Sequence, residues 1–374
     1  MKIYAVGGAI RDTLMGLPVN DIDYVVVGSS AQEMIAQGFR PVGKDFPVFL
    51  HPETQAEYAL ARTERKTGTG YKGFHFYANP TVTLEEDLER RDLTINAMAQ
   101  EVGEDGKWFG PIIDPYNGQR DLATKVFRHV SDAFAEDPLR LLRIARFAAR
   151  FPEFTVAPET LDALKAIVRS NELGVLSPER IWQELARGLV SKKPMRMFQV
   201  LLDTGAAKVL LPPTLASELT KENYREELVV HLHNSGSRLE DRCAVVLIHL
   251  LAVEIRSWAE CVRMPNEVRD FSEIFCELYQ LIHKGLSETN QSSNALSWFN
   301  RADVWRKPER AQELLILAEH IGMDVAGLTK ALHAAQDLNT AKIISGLADN
   351  ERSNGESIRG AVEAERLSAI ASAL

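Results

Sequence analysis

The feature that most constrains the fold is a change in hydrophobic pattern near residue 126. Before it, short β-like runs such as KIYAV and DYVVVG alternate with glycine-rich turns, which is typical of an α+β domain. After it, apolar residues recur at helical spacing almost without interruption. We therefore expect an α/β head followed by a long helical body. The most linker-like stretch of that body is SETNQSSN, residues 287–294.

Composition limits the classes of protein to which the chain can belong. Its 374 residues, 45% of them hydrophobic, are enough for two or three globular domains. A formal charge of −9 argues against a protein that coats nucleic acid by bulk charge, so such a partner needs a local basic surface. The cysteines form no CxxC pair, and neither a signal peptide nor a membrane-length apolar run is found, so we expect a cytoplasmic protein.

The stretch EDPLRLLRIAR carries arginine at every third position, Arg140, Arg143 and Arg146, and Arg150 follows one turn later. On a helix these four fall within about 120° of the circumference. Ordinary solvated faces mix acids and bases, but here only Arg140 has an acid four residues before it, Glu136. We interpret the stripe as a site for an anion. The opposite side of the helix is apolar and is formed by Leu141, Leu142, Ala145, Ala148 and Ala149.

Two aspartates, Asp21 and Asp23, precede the β-like run of NDIDYVVVG. Residues two apart in a strand point to the same sheet face, with Cα atoms about 6.6 Å apart. Two such carboxylates can converge on Mg²⁺, which prefers oxygen ligands and also binds phosphates. An acidic turn before a buried strand would have the same pattern, so this motif alone does not decide.

Just upstream, VGGAIRD places Gly7 and Gly8 between an apolar strand and a helix that we expect to begin near Ala9. Glycines let backbone amides approach phosphate, and a helix N-terminus adds partial positive charge. Arg11 can reach the same phosphates. A glycine pair followed by the two aspartates predicts a triphosphate cradle together with its metal ligands.

Four stretches in this order, GGAIRDTLMGLPVNDID, RRDLTINAMA, EDPLRLLRIARFAAR and PERIWQEL, resemble the motifs of class II tRNA nucleotidyltransferases. These are the bacterial CCA-adding enzymes and their poly(A) polymerase relatives, and the chain looks most similar to the enterobacterial type. The resemblance implies an α+β, polymerase-beta-like nucleotidyltransferase head with a mixed β-sheet over residues 1–126. An all-α neck would follow over 127–210, and a helical, tRNA-binding body and tail over 211–374.

The resemblance also implies roles for particular residues. Glu64 could be a third acidic group, although surface pairing with Arg62 or Lys66 is the expected outcome. Mg²⁺ would be held by the catalytic pair Asp21 and Asp23, and the nucleotide by Gly8, Arg11, Arg91, Asp137, Arg140, Arg143 and Arg146.

One element expected of the enterobacterial type is missing. Its HD phosphohydrolase core needs a His-Asp pair, but in RCAVVLIHLLAVEI the residue after His249 is Leu250. His231 and His233 have no acidic partner at a useful spacing. We predict that the chain has no phosphohydrolase activity.

The function implied is addition of CCA to the 3′ end of tRNA from CTP and ATP, by a monomer that holds the acceptor and T-arm. The glycine-rich segment 65–77, which could be a mobile loop or an exposed hairpin, weighs against an enzyme that adds only CC. An A-adding enzyme or a poly(A) polymerase stays open as an alternative. A catalytically silent RNA-binding module is disfavoured because Asp21, Asp23, Arg91, Asp137 and Arg140 are all present.

Overall fold

The computed structural model describes residues 1–42, 48–66, 74–283 and 290–374. Contacts divide the chain into two compact units, Met1–Leu210 and Leu211–Leu374. Every strand found within the described ranges lies in the first unit. No helix in those ranges is both long and apolar enough to cross a membrane.

In its described residues, the first unit contains one large mixed sheet and two smaller pairs of strands. Its strands are β1 (Lys2–Val6), β2 (Asp23–Val27), β3 (Arg40–Val42), β4 (Val48–Leu50), β5 (Glu57–Leu60), β6 (Arg62–Lys66), β7 (Phe74–Ala78), β8 (Ala99–Val102), β9 (Trp108–Ile113), β10 (Val126–Phe127) and β11 (Thr155–Val156). Seven strands form one sheet in the order β3-β4-β5-β2-β1-β8-β9. Strand β2 pairs antiparallel with β1 and parallel with β5, as a mixed sheet requires.

The central strands are rich in valine because both of their faces are buried. Val25 packs in one apolar cluster with Leu88, whereas its neighbour Val26 packs on the other side with Met34. In the register of β1 and β2, Val6 lies opposite Asp23. The chain that leaves β1 therefore lies beside the start of β2, which positions the site described below.

Helices make up the rest of the first unit. They are α1 (Gly8–Leu14), α2 (Ala31–Ala36), α3 (Leu84–Glu89), α4 (Gly118–Thr124), α5 (Leu139–Arg150), α6 (Pro158–Arg169), α7 (Pro178–Leu189), α8 (Met195–Thr204) and α9 (Ala207–Leu210). Short 3₁₀ helices lie at Thr94–Asn96, Asp132–Glu136 and Glu172–Val175. The predicted apolar side of α5 is completely buried and packs against α7 and α8, which confirms the reading of its pattern.

The second unit is helical throughout its described residues. Its helices are α10 (Pro213–Glu218), α11 (Glu222–Asn234), α12 (Leu239–Val246), α13 (Ala252–Val262), α14 (Asn266–His283), α15 (Gln291–Arg301), α16 (Pro308–His320), α17 (Ala326–Gln336), α18 (Thr340–Gly346), α19 (Asp349–Arg352) and α20 (Gly355–Ala373). Helix α14 is central, with Ile274, Phe275 and Leu278 fully buried, and it packs against α12, α13 and α15.

Two local predictions need comment. Of the predicted linker 287–294, residues 287–289 lie outside the described residues, and α15 begins at Gln291, so the last part of that prediction is wrong. The side chains of Trp298 and Phe299 are buried, and their packing stabilises this segment as a helix. The arms of segment 65–77 pair as the antiparallel strands β6 and β7, whereas residues 67–73 lie outside the described residues.

Candidate functional site

A cleft of about 720 Å³ opens in the first unit, and its lining includes every residue that the sequence singled out as catalytic or nucleotide-binding. These residues come from α1, the start of β2, the segment after α3 and helix α5. Segments more than a hundred residues apart thus meet at one place. The residues are Gly8, Arg11, Asp21, Asp23, Arg91, Asp137, Arg140, Arg143 and Arg146.

The turn between β1 and α1 depends on glycine. Gly7 has φ +68°, a left-handed conformation, and a Cβ atom there would lie 2.7 Å from Nη1 of Arg91. The backbone N–H of Gly7 donates to the carbonyl of Met98 at 3.0 Å, which fixes the turn to the segment just before β8. Helix α1 then begins at Gly8, one residue before the predicted start.

The two aspartates differ from the other acids of the cleft. Asp23 begins β2 and Asp21 lies just before the strand, and both are exposed. Within the described part of the chain neither carboxylate has a hydrogen bond or an ion pair. Asp12, Glu64 and Asp92, by contrast, are each bonded to an arginine. Asp21 and Asp23 therefore remain open to a cationic ligand.

The arginine stripe of α5 is paired with acids that its own sequence does not reveal. The stripe is of a single sign along α5 itself, but three other segments each supply it with a carboxylate. The pairs are Arg143 Nε with Asp92 at 2.7 Å, Arg146 Nε with Glu184 at 2.5 Å, and Arg150 Nη2 with Asp12 at 2.9 Å. The hydrogen bonds of Arg143 and Arg146 use only Nε, so their terminal nitrogens have no hydrogen bond among the described residues and can serve an anion.

Arg140 is held differently. Its terminal nitrogens donate to the carbonyls of Arg90 at 2.5 Å and Ala133 at 3.2 Å, and no bond to Glu136 is found among the described residues. The guanidinium also lies over the ring of Phe134, with 5.7 Å between its central carbon and the ring centroid. Arg140 is thus a buried, fixed group at the edge of the cleft.

Asp137 serves two neighbours. One carboxylate oxygen accepts the backbone N–H of Leu139, the first residue of α5, at 3.0 Å, and the other lies 3.9 Å from Arg180 of α7. On α7, Arg180 and Glu184 are four residues apart and so lie on one face, where they hold Asp137 and Arg146. Helix α7 therefore orients two of the predicted nucleotide-binding residues, one in α5 and one just before it.

A chain of hydrogen bonds, which we call the circuit, joins α5 to α1 and to the segment after α3. It runs between two arginines of the same helix, passing through α1 and the 3₁₀ helix before β8. At its centre, Asn96 accepts from Arg11 at 2.5 Å and donates to Asp92 at 2.9 Å. In order, the circuit is Arg150, Asp12, Arg11, Asn96, Asp92 and Arg143.

Burial and pairing set the ionisation of this circuit. Burial opposes ionisation of Asp92, but the charge of Arg143 and the hydrogen bond from Asn96 outweigh it and hold the pKa of this carboxyl well below its ordinary value. Burial lowers the pKa of Arg11, and the adjacent charge of Asp12 counteracts that effect. Asp92 therefore stays ionised beside Arg143 at neutral pH.

Arg91 and Glu64 occupy the side of the cleft formed by α3 and β6. Arg91 donates to Asp87 at 3.2 Å, but its buried Nε has no hydrogen-bond acceptor among the described residues. Glu64 is bonded to Arg90 at 2.7 Å and to Arg62 at 3.3 Å. The expected pairing of Glu64 with Arg62 is confirmed, and Arg90 is an additional partner.

Reasoning from the sequence missed four residues that hold the site together: Asp12, Asp92, Asn96 and Glu184. All four lie inside the motifs quoted above, which was the available signal. They are buried polar residues, and such groups are rare unless paired.

The histidines of the second unit have aromatic and acidic neighbours. In the described ranges, no group of three or more His, Cys, Asp or Glu side chains is placed to hold a metal ion. The ring of His249 lies against Tyr224 and Tyr279, with centroids 5.3 and 5.1 Å away. His231 lies 3.8 Å from Glu227, four residues earlier on the same helix, so the prediction that it has no acidic partner is wrong.

Comparison with known proteins gives two family matches along the chain. Residues 3–128 match the Poly A polymerase head domain, and residues 153–219 match a family described as the probable RNA and SrmB-binding site of polymerase A. The Multifunctional CCA protein of Paraburkholderia phymatum is 46% identical over 411 residues, covering 100% of this chain and 98% of that protein. That of Burkholderia cenocepacia is also 46% identical, over 415 residues, with 100% and 99% coverage. The chain belongs to the CCA-adding enzyme family.

Solved structures support the same fold. A CCA-adding enzyme in apo form II has a TM-score of 0.62 at 23% identity and covers 100% of this chain and 92% of its own. A CCA-adding enzyme in complex with ATP has a TM-score of 0.65 at 24% identity, with 99% and 86% coverage. At these identities the likeness shows the fold alone.

Family membership confirms the predicted class II family, the fold class and the enzyme class, a CCA tRNA nucleotidyltransferase. The alignment to the Paraburkholderia protein is longer than this 374-residue chain by 37 positions, so the CCA-adding relative has segments with no counterpart here. The roles of individual residues and the division at residues 126 and 210 stay predictions.

Proposed function

We propose that this chain adds and repairs the 3′-terminal CCA of tRNA, using CTP and ATP and releasing pyrophosphate. The observation that carries the proposal is the pair Asp21 and Asp23, without partners among the described residues, beside the Gly7–Gly8 turn in an arginine-lined cleft. The family supports it, since its relatives are named for CCA and solved neighbours bind ATP or CTP.

In this reaction the terminal 3′ hydroxyl of the RNA attacks the α-phosphorus of the nucleotide, and the bond to pyrophosphate breaks. Such a transfer needs mainly positioning and charge stabilisation. The terminal nitrogens of Arg143 and Arg146, together with Arg91, would bind the triphosphate and stabilise the departing pyrophosphate. The Gly7–Gly8 turn and Arg11 would position the phosphates at the start of α1.

Enzymes of the nucleotidyltransferase superfamily generally use divalent metals, and we propose Mg²⁺ for this chain. Asp21 and Asp23 fit such an ion because they are exposed carboxylates without a partner in the described structure. Mg²⁺ commonly takes one or two carboxylates and completes its shell with water and substrate phosphates. Bound there, it would lower the pKa of the attacking hydroxyl and neutralise charge on the phosphates.

The base would be read by Asp137 and Arg140. Cytosine and adenine both present an amino donor beside a ring-nitrogen acceptor, whereas uracil and guanine present the reverse order. A carboxylate next to a guanidinium suits the first pair. The fixed positions of both side chains, described above, support this assignment, although the terminal nitrogens of Arg140 also bind backbone carbonyls.

For the partners, we propose that the helical part of the chain holds the tRNA acceptor and T-arm by shape and backbone contacts, and that the protein acts as a cytoplasmic monomer. The proposed division into head (1–126), neck (127–210) and body with tail (211–374) assigns chemistry to the first and RNA binding to the last. We propose that the chain has no phosphohydrolase activity, because Leu250 follows His249 where that chemistry needs an aspartate.

One incubation tests the function. A tRNA lacking its 3′ CCA is incubated with labelled CTP and ATP, and the products are resolved by length. Addition that stops after CCA is the expected result. A long A tail would instead show a poly(A) polymerase, and addition of A only to a tRNA ending in CC would show an A-adding enzyme. Omitting each nucleotide in turn serves as the control.

A further inference from the structure

Helices α5 and α7 pack against each other and are joined by an ion pair of opposite charges. In that pair, Arg146 of α5 donates to Glu184 of α7 at 2.5 Å. About one turn further along, each helix carries an arginine, Arg150 on α5 and Arg187 on α7. We name these two arginines the end pair. Opposite charges are thus followed by two like charges.

The end pair lies where both helices end. Both of its arginines line the cleft. The backbone N–H of Lys193, which follows α7, donates to the carbonyl of Ala149 at 2.9 Å, so the C-terminal ends of α5 and α7 lie close together. The end pair therefore belongs to the part of the cleft at which these two helices end.

The charge of the end pair is only partly neutralised. Arg150 donates through Nη2 to Asp12 of α1 at 2.9 Å, and Asp12 also accepts from Arg11. Among the described residues, Nε and Nη1 of Arg150 have no hydrogen bond, and the side chain of Arg187 has neither a hydrogen bond nor an ion pair. Three guanidiniums that share one acid leave two positive charges, which favours an anion carrying more than one charge.

The end pair also lies on the side of the cleft proposed for the phosphates. Asp12, to which Arg150 is bonded, follows the Gly7–Gly8 turn by about one turn of α1. Along α5, Arg140 of the proposed base-reading pair and Arg150 are ten residues apart, which is a rise of about 15 Å on a helix. An extended nucleoside triphosphate has a comparable length. A nucleotide whose base lies at the start of α5 can therefore bring its last phosphate to the end pair.

We propose that the end pair binds the terminal phosphate of the incoming nucleotide and holds the pyrophosphate that is released. In an in-line transfer, the RNA hydroxyl attacks the α-phosphorus from the side opposite to the leaving group. The bond from the α-phosphorus to the bridging oxygen breaks, and that oxygen leaves with the electron pair as part of pyrophosphate. The position beyond the last phosphate is therefore reached by the nucleotide and not by the RNA terminus. The inference rests on the proposed function and names two further residues that its nucleotide substrate contacts.

A structural role for Arg187 is the competing explanation, because a cation in the last turn of a helix stabilises that helix through its dipole. Arg169 holds the same position in α6, where it is exposed and does not line the cleft. Arg169→Gln therefore matches Arg187→Gln in charge and helix position but leaves the cleft intact. The structural role predicts that both variants have a lower Tm and that neither changes its nucleotide preference.

The test measures the Kd for CTP and for CDP, which lacks the terminal phosphate, with Mg²⁺ and without tRNA. We expect Arg187→Gln to weaken CTP binding about tenfold, because one charge-assisted hydrogen bond is lost, and to leave CDP binding unchanged. In the transfer reaction, this variant should need about tenfold more pyrophosphate for the same product inhibition. Arg187→Lys keeps the charge and should retain part of the preference for CTP. Arg169→Gln should bind all three ligands as the wild type does.

An equal loss of CTP and CDP binding in Arg187→Gln, or no loss of either, would overturn the proposal. Weaker binding of a tRNA lacking CCA, with CTP binding unchanged, would assign Arg187 to the RNA and overturn it as well. If Arg187→Gln does not fold, Arg187→Lys must still prefer CTP over CDP less than the wild type does. Should the wild type prefer CTP through Arg187 but add no CCA to tRNA, the proposed function fails and the role of the end pair stands.

Discussion

Arginine–carboxylate pairs occur in two separate regions of the molecule, and they differ in how the arginines are arranged. Along α5, Arg143, Arg146 and Arg150 each have a separate acid, and all three line a cleft. In the second unit, three arginines converge on a single carboxylate, that of Glu273, whose side chain is only 2% exposed. These three are Arg256, Arg269 and Arg301, at 2.7, 3.6 and 2.9 Å.

The difference shows what marks a binding site. The second cluster resembles the first in composition, yet none of its residues lines the cleft, and Arg256 is 54% exposed to solvent. Its arginines share one buried acid, and two of them also pair with Asp270 or Glu277, so the cluster connects α13 and α15 to α14. Pairing alone therefore does not identify a site. A better indication is a guanidinium that lines a cleft and whose terminal nitrogens have no hydrogen bond among the described residues.

The largest effect should come from the acids that have no arginine. Asp21→Ala or Asp23→Ala should lower nucleotidyl transfer about a thousandfold or more with both CTP and ATP, because a bound metal contributes several kcal/mol to such reactions. Binding of tRNA should be nearly unchanged. Transfer is measured by single-turnover addition to a tRNA lacking CCA.

The matched control is Asp162→Ala, which removes an exposed aspartate of α6 that does not line the cleft. It should behave as the wild type. Near-normal transfer by either cleft variant would remove the metal assignment and, with it, the special position of these two acids.

A smaller effect is expected for the base. Asp137→Asn keeps an oxygen for the N–H of Leu139 but turns the other position from acceptor to donor. CTP and ATP should be used less well and UTP relatively better, by at least several-fold, since one good base contact discriminates by about 1–3 kcal/mol. Relative kcat/KM values for the nucleotides measure this.

Exchanging Asp137 and Arg140 would be less informative, because a carboxylate at position 140 would meet the carbonyls of Arg90 and Ala133. Glu136→Gln is the better control, since Glu136 does not line the cleft. If Asp137→Asn keeps the original preference for C and A, the base is read elsewhere and α5 serves the phosphates alone.

The sequence predicted the parts of the site but not how they are joined. Its periodicity identified the buried side of α5, and its motifs identified the glycine turn and the two aspartates. The acids that pair with Arg146, Arg143 and Arg150 lie 38, 51 and 138 residues away along the chain. Helical periodicity describes one element's own faces, so it cannot say which other element packs against them.

The smallest expected effect is a change in KM, and it separates the two arginine–carboxylate clusters most directly. Asn96→Ala breaks the circuit between Arg11 and Asp92 and should raise the KM for CTP and ATP several-fold, because the arginines on either side lose their orientation. Glu273→Gln in the second unit should lower Tm and leave KM unchanged, since its partners face no substrate. Steady-state kinetics and thermal unfolding of both variants supply the measurements.

Asn96→Asp adds a finer distinction, because it can still accept from Arg11 but no longer donates to Asp92. Its KM should also rise. A rise in KM for Glu273→Gln equal to that for Asn96→Ala would contradict the separation of the two regions into binding and structural uses.

The circuit through Asn96 also limits which substitutions proteins of this family can accept. Arg11 donates to both Asp12 and Asn96, and Asn96 donates to Asp92, so changing Asn96 removes a hydrogen bond from two buried neighbours at once. A single substitution at one of these positions should therefore be destabilising. A tolerated change would need a second, compensating substitution. Across distant relatives we expect these positions to covary as a group.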